Sequence, residues 1–415
     1  MKKILFIAVL LSGNFTYSQL PKNVLFLGNS YTDVNNLPQL IADLAASAGD
    51  NLSFDSNTPG GYTFNGHSTN ATSLQKIQAG NWDFVVLKEQ SQLPSLSIGQ
   101  VQTDCFPYAT ILDSIIREYN SCAETMFYMT WGRETGDAQN CSSWPPVCTY
   151  NGMDSLLRLR YEQMAIDNQA VLSPVGALWH YIRQNNPSLQ LYASDGSHPS
   201  LAGSYAAACS FYSTIFRKDP TLITDDYGLS TMDALFIRNA AKIVVFDSLL
   251  NWHVGAYDPM ASFTMIENFL AVMFFNQSTN ACNYLWDFGD GTTSTVSDPV
   301  HIFQQVNTTF TITLTAECCG YSDTATGTFI VFVGLEENKM LNLQINPNPA
   351  KDFINVQIEN TDQIYLTNLQ GETIQVPILK IGESYKLDIS QLSKGLYFIK
   401  AMKESKVYSG KIIKQ

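Results

Sequence analysis

Short, continuously apolar runs alternate with helically spaced ones from Asn23 to Asn168, and beyond about Asp258 that alternation gives way to short β-like runs alone. The runs at 23–27, 84–87 and 125–130 read as buried strands, because an unbroken apolar segment of that length suits a strand covered on both faces. Between them, 37–48 places Leu37, Leu40, Ile41, Leu44 and Ala45 at helical spacing, and 108–119 and 154–168 read as helices in the same way. Strands alternating with helices predict a parallel sheet between two helical layers. Such a sheet carries its site at the carboxyl ends of its strands. The later runs at 263–275, 284–288, 310–316 and 327–333 predict an all-β sandwich. Its strongest turn signal is Trp286-Asp287-Phe288-Gly289-Asp290-Gly291. After 334–339, Asn346-Pro347-Asn348-Pro349 opens a third, small β unit.

A chain of 415 residues exceeds the usual size of one core, which agrees with several units. Residues 1–19 carry Lys2 and Lys3, an apolar run from Ile4 to Leu11, and the small or polar Thr16, Tyr17 and Ser18, the layout of a secretory signal peptide. A short N-terminal anchor shares these features. No later stretch has the length and apolarity of a membrane-spanning helix, so a mature chain without a transmembrane segment is expected. The net charge of −13 argues against a nucleic-acid partner, which needs a basic face. The charge is uneven: residues 341–415 hold nine Lys against seven Asp or Glu, a net of +2, which leaves −15 for residues 1–340.

Eight cysteines, Cys105, Cys122, Cys141, Cys148, Cys209, Cys282, Cys318 and Cys319, lack the paired spacing of a zinc site and read as disulfide candidates in an oxidising compartment. Cys141 with Cys148 would close a short loop, and Cys282 with Cys318 or Cys319 would staple the sandwich. One or more remain free in this reading.

Ser30, in Gly28-Asn29-Ser30-Tyr31-Thr32, falls on the turn after the first strand, where a hydroxyl is reachable and where a serine also serves as a helix N-cap. A serine hydroxyl is a weak nucleophile until a base takes its proton. Of the five histidines, His67, His180, His198, His253 and His301, only His198 follows a carboxylate closely on a glycine-containing loop, in Ser194-Asp195-Gly196-Ser197-His198-Pro199. Asp195 there is placed to hold the imidazole by its other nitrogen. Asp-x-x-His on a loop is also a common turn or capping pattern.

Together these two segments resemble the first and last blocks of the SGNH, or GDSL-like, hydrolases over roughly residues 20–220, with Asn29 where many members carry Asp. The resemblance implies a three-layer α/β/α SGNH-hydrolase-like domain over 20–257. It also implies a serine hydrolase acting on esters, with Ser30 as nucleophile, His198 as base, Asp195 as orienting acid, and no metal or organic cofactor. The family's oxyanion hole implies three donors: the backbone N–H of Ser30, a glycine N–H, and a side-chain amide. Gly61 in Thr58-Pro59-Gly60-Gly61-Tyr62 is the expected second donor, with Gly60 the alternative. The family's Gly-x-Asn-Asp block is missing. At its place stands Lys88-Glu89-Gln90-Ser91-Gln92, where Gln90 offers a carboxamide one methylene longer. Glu89 reads as an ion-pair partner, a substrate contact or a plain strand end. His67 reads as a pocket wall or a structural residue, and Trp131 and Arg133 as substrate contacts or packing residues.

Residues 258–334 resemble a PKD-type domain, an immunoglobulin-like sandwich, through the Trp286 turn and Asp298-Pro299-Val300-His301-Ile302-Phe303. Residues 341–415 resemble the C-terminal sorting domain of type IX secretion in the Bacteroidetes. They do so through Ile345-Asn346-Pro347-Asn348-Pro349-Ala350, the strand and turn at 364–371, and Leu392-Ser393-Lys394-Gly395-Leu396-Tyr397-Phe398-Ile399. That resemblance implies secretion or a cell-surface location, with the secretion machinery as partner. The expected substrate is an ester, with polysaccharide O-acetyl groups ahead of short-chain or lipid esters. A catalytically silent surface binding protein is the alternative from another class.

Overall fold

The computed structural model describes residues 21–268, 270–305, 308–331, 343–359, 361, 363–403 and 406–415. The expected signal peptide and the segment 334–339 lie outside them. Two compact units emerge. The first runs to Met260 and includes Thr279–Cys282 and Glu317–Asp323; the second takes Ala261–Ser278, Asn283–Ala316 and Thr324–Gln415.

The first unit is built as β1 (Lys22–Leu27), α1 (Ser30–Asp33), α2 (Leu37–Ser47), β2 (Leu52–Asn57), α3 (Phe64–Thr69), α4 (Ala71–Gln78), β3 (Phe84–Leu87), α5 (Ile98–Asp104), α6 (Phe106–Tyr119), β4 (Glu124–Tyr128), α7 (Tyr150–Asp167), β5 (Val171–Ser173), α8 (Val175–Asn185), α9 (Leu201–Phe216) and α10 (Thr231–Val244). All five strands pair in parallel in the order β2-β1-β3-β4-β5. Val24 to Leu27 and Phe84 to Leu87 are buried at every consecutive position, so both faces of the sheet are covered and the layers are α/β/α. In α9, Ala202 to Phe216 are all buried, and its small side chains bring it close to α2 and α10. β2 lacks an apolar run because it is the edge strand, with Ser53 exposed and the rest beyond Leu52 only partly covered.

Register sets the site. Leu27 lies level with Asn57 of β2 and Leu87 of β3. The ladder continues past the strands through Gly28 N–H to the Asn57 carbonyl (3.1 Å) and Lys88 N–H to the Leu27 carbonyl (2.9 Å). The segments that carry Ser30, Gly61 and Gln90 therefore leave the sheet side by side, where the chain changes direction across β1. Ligands of open α/β sheets bind at such crevices.

Within the second unit, a three-stranded and a four-stranded antiparallel sheet enclose a core of Val272, Phe274, Trp286, Phe288, Phe303, Phe310, Ile312, Leu314 and Phe329. Two further four-stranded sheets follow from Gln344 to Lys414 around Ile354, Val356, Leu387, Ile399 and Ile412. Cys141–Cys148 and Cys282–Cys318 are disulfides, as two of the expected pairings had it, and Cys122–Cys319 is a third. Cys105 and Cys209 are free thiols buried in the core.

Candidate active site

Ser30 opens α1 directly after β1. Asn29 caps that helix, its Oδ1 accepting from the Tyr31 N–H at 3.3 Å. The turn is too tight for a side chain at Gly28, where a Cβ would stand 2.3 Å from Thr32 Oγ1. On the opposite side, a short loop closes through Ala193 N–H to the His198 carbonyl (2.8 Å) and Gly196 N–H to the Ala193 carbonyl (3.0 Å).

The three side chains singled out from the sequence meet. His198 Nε2 lies 2.9 Å from Ser30 Oγ, and His198 Nδ1 lies 2.6 Å from Asp195 Oδ2. An ionised carboxylate only accepts, so Asp195 holds the ring proton on Nδ1 and leaves Nε2 as an acceptor for the serine hydroxyl. Asp195 is itself fixed by the N–H groups of Ser197 (3.0 Å) and His198 (2.9 Å) at Oδ1. Partial desolvation, the largest single effect, pushes the Asp195 carboxyl up. The His198 ring, these two N–H groups and the charge of His198 together outweigh it and hold the carboxyl below its ordinary range. Arrangements of this kind transfer a proton from hydroxyl to imidazole as the oxygen attacks an electrophilic carbon.

Beneath the loop stands an aromatic stack. Trp131 packs between Tyr31 (5.0 Å, nearly parallel) and Trp179 (3.7 Å), and its Nε1–H donates to the Ser197 carbonyl at 3.1 Å. Tyr31 reaches Ser197 Oγ at 2.5 Å and meets the His198 ring edge-on at 5.0 Å. Trp131 is fully buried, so of its two expected roles the packing one is observed. Arg133 pairs with the buried Asp137 at 3.2 Å.

Gly61 is exposed in the Pro59–Tyr62 turn, closed by the Tyr62 N–H to the Pro59 carbonyl (3.2 Å), with φ +68° at Gly61. Asn29 Nδ2 donates to the Tyr62 carbonyl at 2.9 Å, which ties this turn to the residue before Ser30. Gln90 is engaged within its own segment. Its carboxamide oxygen accepts from the N–H groups of Gln92 (2.8 Å) and Leu93 (3.0 Å), and its Nε2 donates to Gln92 Oε1 (3.1 Å). The chain turns sharply at Leu93–Ser95, and Gln90 caps that turn instead of extending a free amide.

Glu89 is fully buried and accepts from the N–H groups of Phe64 and Gln90. Burial pushes its carboxyl up to about 7, against those bonds and the charge of Lys88. Lys88 has no exposed surface; burial pushes its ammonium well below the ordinary lysine range, against the pull of Glu89. His67 is also fully buried, bonded to the Gly28 carbonyl (2.9 Å) and Ser73 Oγ (2.8 Å). Burial lowers it to about 4, against the Gly28 bond, so it is a neutral brace under the turn and not a pocket wall. Sequence reasoning assigned no role to Lys88. The available signal was a cation closing an otherwise apolar strand.

Residues 344–415 match the family model of the secretion system C-terminal sorting domain, and residues 267–333 that of the PKD domain. The sorting domain points to secretion or the cell surface. No curated protein matches the chain. Among solved structures, the chain is similar to a DUF4886 family protein from Bacteroides uniformis ATCC 8492, at 16% identity over 55% of this chain and 95% of that one, with a TM-score of 0.48. It is similar to a protein from Slackia heliotrinireducens assigned to the SGNH hydrolases, at 27% identity over 47% of this chain and 100% of that one, with a TM-score of 0.39. It is also similar to the PKD1 domain of the Vibrio cholerae metalloprotease PrtV, at 36% identity over 18% of this chain and 99% of that one, with a TM-score of 0.18. No helix among the described residues is long and apolar enough to cross a membrane.

Proposed function

We propose that the chain is an exported serine esterase that hydrolyses carboxylic esters through an acyl-enzyme, its catalytic domain lying within residues 20–257. The observation that carries this reading is the unbroken chain Asp195–His198–Ser30, with links of 2.6 and 2.9 Å. Ser30 Oγ attacks the ester carbonyl as His198 Nε2 takes its proton; His198 returns that proton to the departing alcohol, and water then repeats the sequence to release the acid. The backbone N–H groups of Ser30 and Gly61 are the oxyanion donors, preorganised by the Asn29 tether. Gln90 joins them only by turning its carboxamide away from Gln92.

Substrate preference follows from how open the site is. Gly60, Gly61 and Asp195 are exposed, which suits an ester whose acyl part is small and whose bulk stays outside. Acetyl groups on a polysaccharide fit that description better than long acyl chains, and export by the type IX route brings the enzyme to such polymers. The test is release of acetate from acetylated xylan and of nitrophenol from esters of graded chain length by the full chain. Ser30→Ala and His198→Ala are each expected to lose at least roughly four orders of magnitude in kcat. Equal, negligible turnover by wild type and both variants on every ester would favour a silent surface binding protein instead.

A further inference from the structure

Lys88 is the one lysine among the largest fully buried side chains of the described residues, and it contacts the residues on either side of the candidate nucleophile. Its Nζ donates to Asn29 Oδ1 and stands 4.1 Å over the ring of Tyr31, so it touches both neighbours of Ser30. Asn29 has no spare capacity: Oδ1 also accepts from the Tyr31 N–H, and Nδ2 donates to the carbonyls of Tyr62 (2.9 Å) and Glu89 (3.3 Å). A donor on an amide oxygen polarises the amide and strengthens what its nitrogen donates. The same carboxamide thus joins three segments, the Ser30 turn, the Pro59–Tyr62 turn and the end of β3, and Lys88 is the buried group that closes it from below.

We propose that Lys88 is a positioning residue of the esterase site: by holding Asn29, it sets the Ser30 and Gly61 N–H groups in register for the oxyanion. This rests on the esterase reading above. The chemistry explains why a costly buried amine is kept here, since an apolar side chain of equal volume would satisfy the core but leave Asn29 Oδ1 without its second donor. It also accounts for the side-chain donor block that the sequence lacks. The carboxamide at Asn29 acts on the oxyanion hole through the backbone it tethers, while Gln90 is engaged elsewhere.

The test is a double-mutant cycle on the full chain with Lys88→Met, Asn29→Ala and the pair. Three quantities are read: the rate of Ser30 labelling by a fluorophosphonate, kcat and KM on nitrophenyl acetate, and the melting temperature. Expected is a fall in labelling rate and kcat of roughly 10- to 100-fold for Lys88→Met with KM nearly unchanged. Its melting temperature should be unchanged or raised, because a buried amine has been replaced by an apolar side chain. The pair should be no slower than the slower single, because both act through one carboxamide. If Lys88→Met does not fold, Lys88→Leu takes its place in the same cycle. Wild-type rates in the variant, or a pair whose loss is the product of the two singles, would overturn the role of Lys88 while leaving the esterase intact. A wild-type chain that neither labels nor turns over would overturn both.

Discussion

His67 shows how a residue without a charged partner couples the site to pH. Its unfolded value is that of an ordinary histidine, 6.5, and the fold lowers it to about 4. A depressed group contributes stability that is present above the unfolded value and is lost as pH falls through the folded one, because the unfolded chain then binds the extra proton. Between pH 6.5 and about 4, the melting temperature of the wild type should therefore fall more steeply than that of His67→Gln; parallel curves would show that His67 does not titrate as described. Glu89 works in the opposite sense. Raised to about 7, it stabilises most where it is protonated and contributes less as pH rises from 4.5 through 7. Neither shift was legible in the sequence, because burial is their principal cause and burial is tertiary.

At the scale of elements, the site is the meeting of three strand ends with one distant loop. The β1 turn, the segment after β2 and the segment after β3 come together by register, and the Asp195–His198 loop is held over them by Trp131 and Tyr31. Stacked aromatic pairs add roughly 0.5–1.5 kcal/mol beyond the area they bury, so the stack is a firm floor. Trp131→Phe keeps most of that floor and deletes the Nε1–H bond to the Ser197 carbonyl. We expect about 1 kcal/mol of stability to be lost and kcat to fall several-fold at constant KM, since one buried carbonyl loses its donor and the His198 loop loosens. A thermal melt paired with steady-state kinetics checks this; an unchanged kcat would mean the loop is held by other contacts. The motifs at Ser30 and Asp195 were readable because each is local: a turn residue, a carboxylate three positions before a histidine. The bonds of Gln90 to Gln92 and Leu93 were not readable, because only the packed chain shows where a flexible amide finds its partners.

For the whole molecule, the proposed catalysis and the sorting signal belong to different parts of the chain. Residues 344–415 match a sorting domain, while Ser30, Asp195 and His198 lie in the first unit. Deleting them should leave kcat on nitrophenyl acetate within about twofold of the intact chain, as expected where no contact to the site is lost. In the producing cell, the shortened chain should then fail to reach the surface, and cell fractionation with an activity assay reads both. Surface activity that persists would move the sorting signal elsewhere. The first unit also takes in Thr279–Cys282 and Glu317–Asp323, with Cys122 bonded to Cys319 across 197 residues of sequence. A cut at residue 257, the boundary expected from the change of sequence pattern near Asp258, would leave Cys122 without its partner. The intact chain is therefore the better material for kinetics.

By itself the sequence determined the alternation that builds the parallel sheet, the change to β structure near Asp258, the short Cys141–Cys148 loop and the identity of Ser30, Asp195 and His198 as candidates. Each follows from periodicity or from neighbours a few residues apart. Only the tertiary structure decided that β2 is an edge strand, that Cys122 pairs with Cys319, that Gln90 caps a turn, and that Lys88 lies buried against Asn29. Those outcomes depend on register and burial, which bring together residues that no local pattern relates.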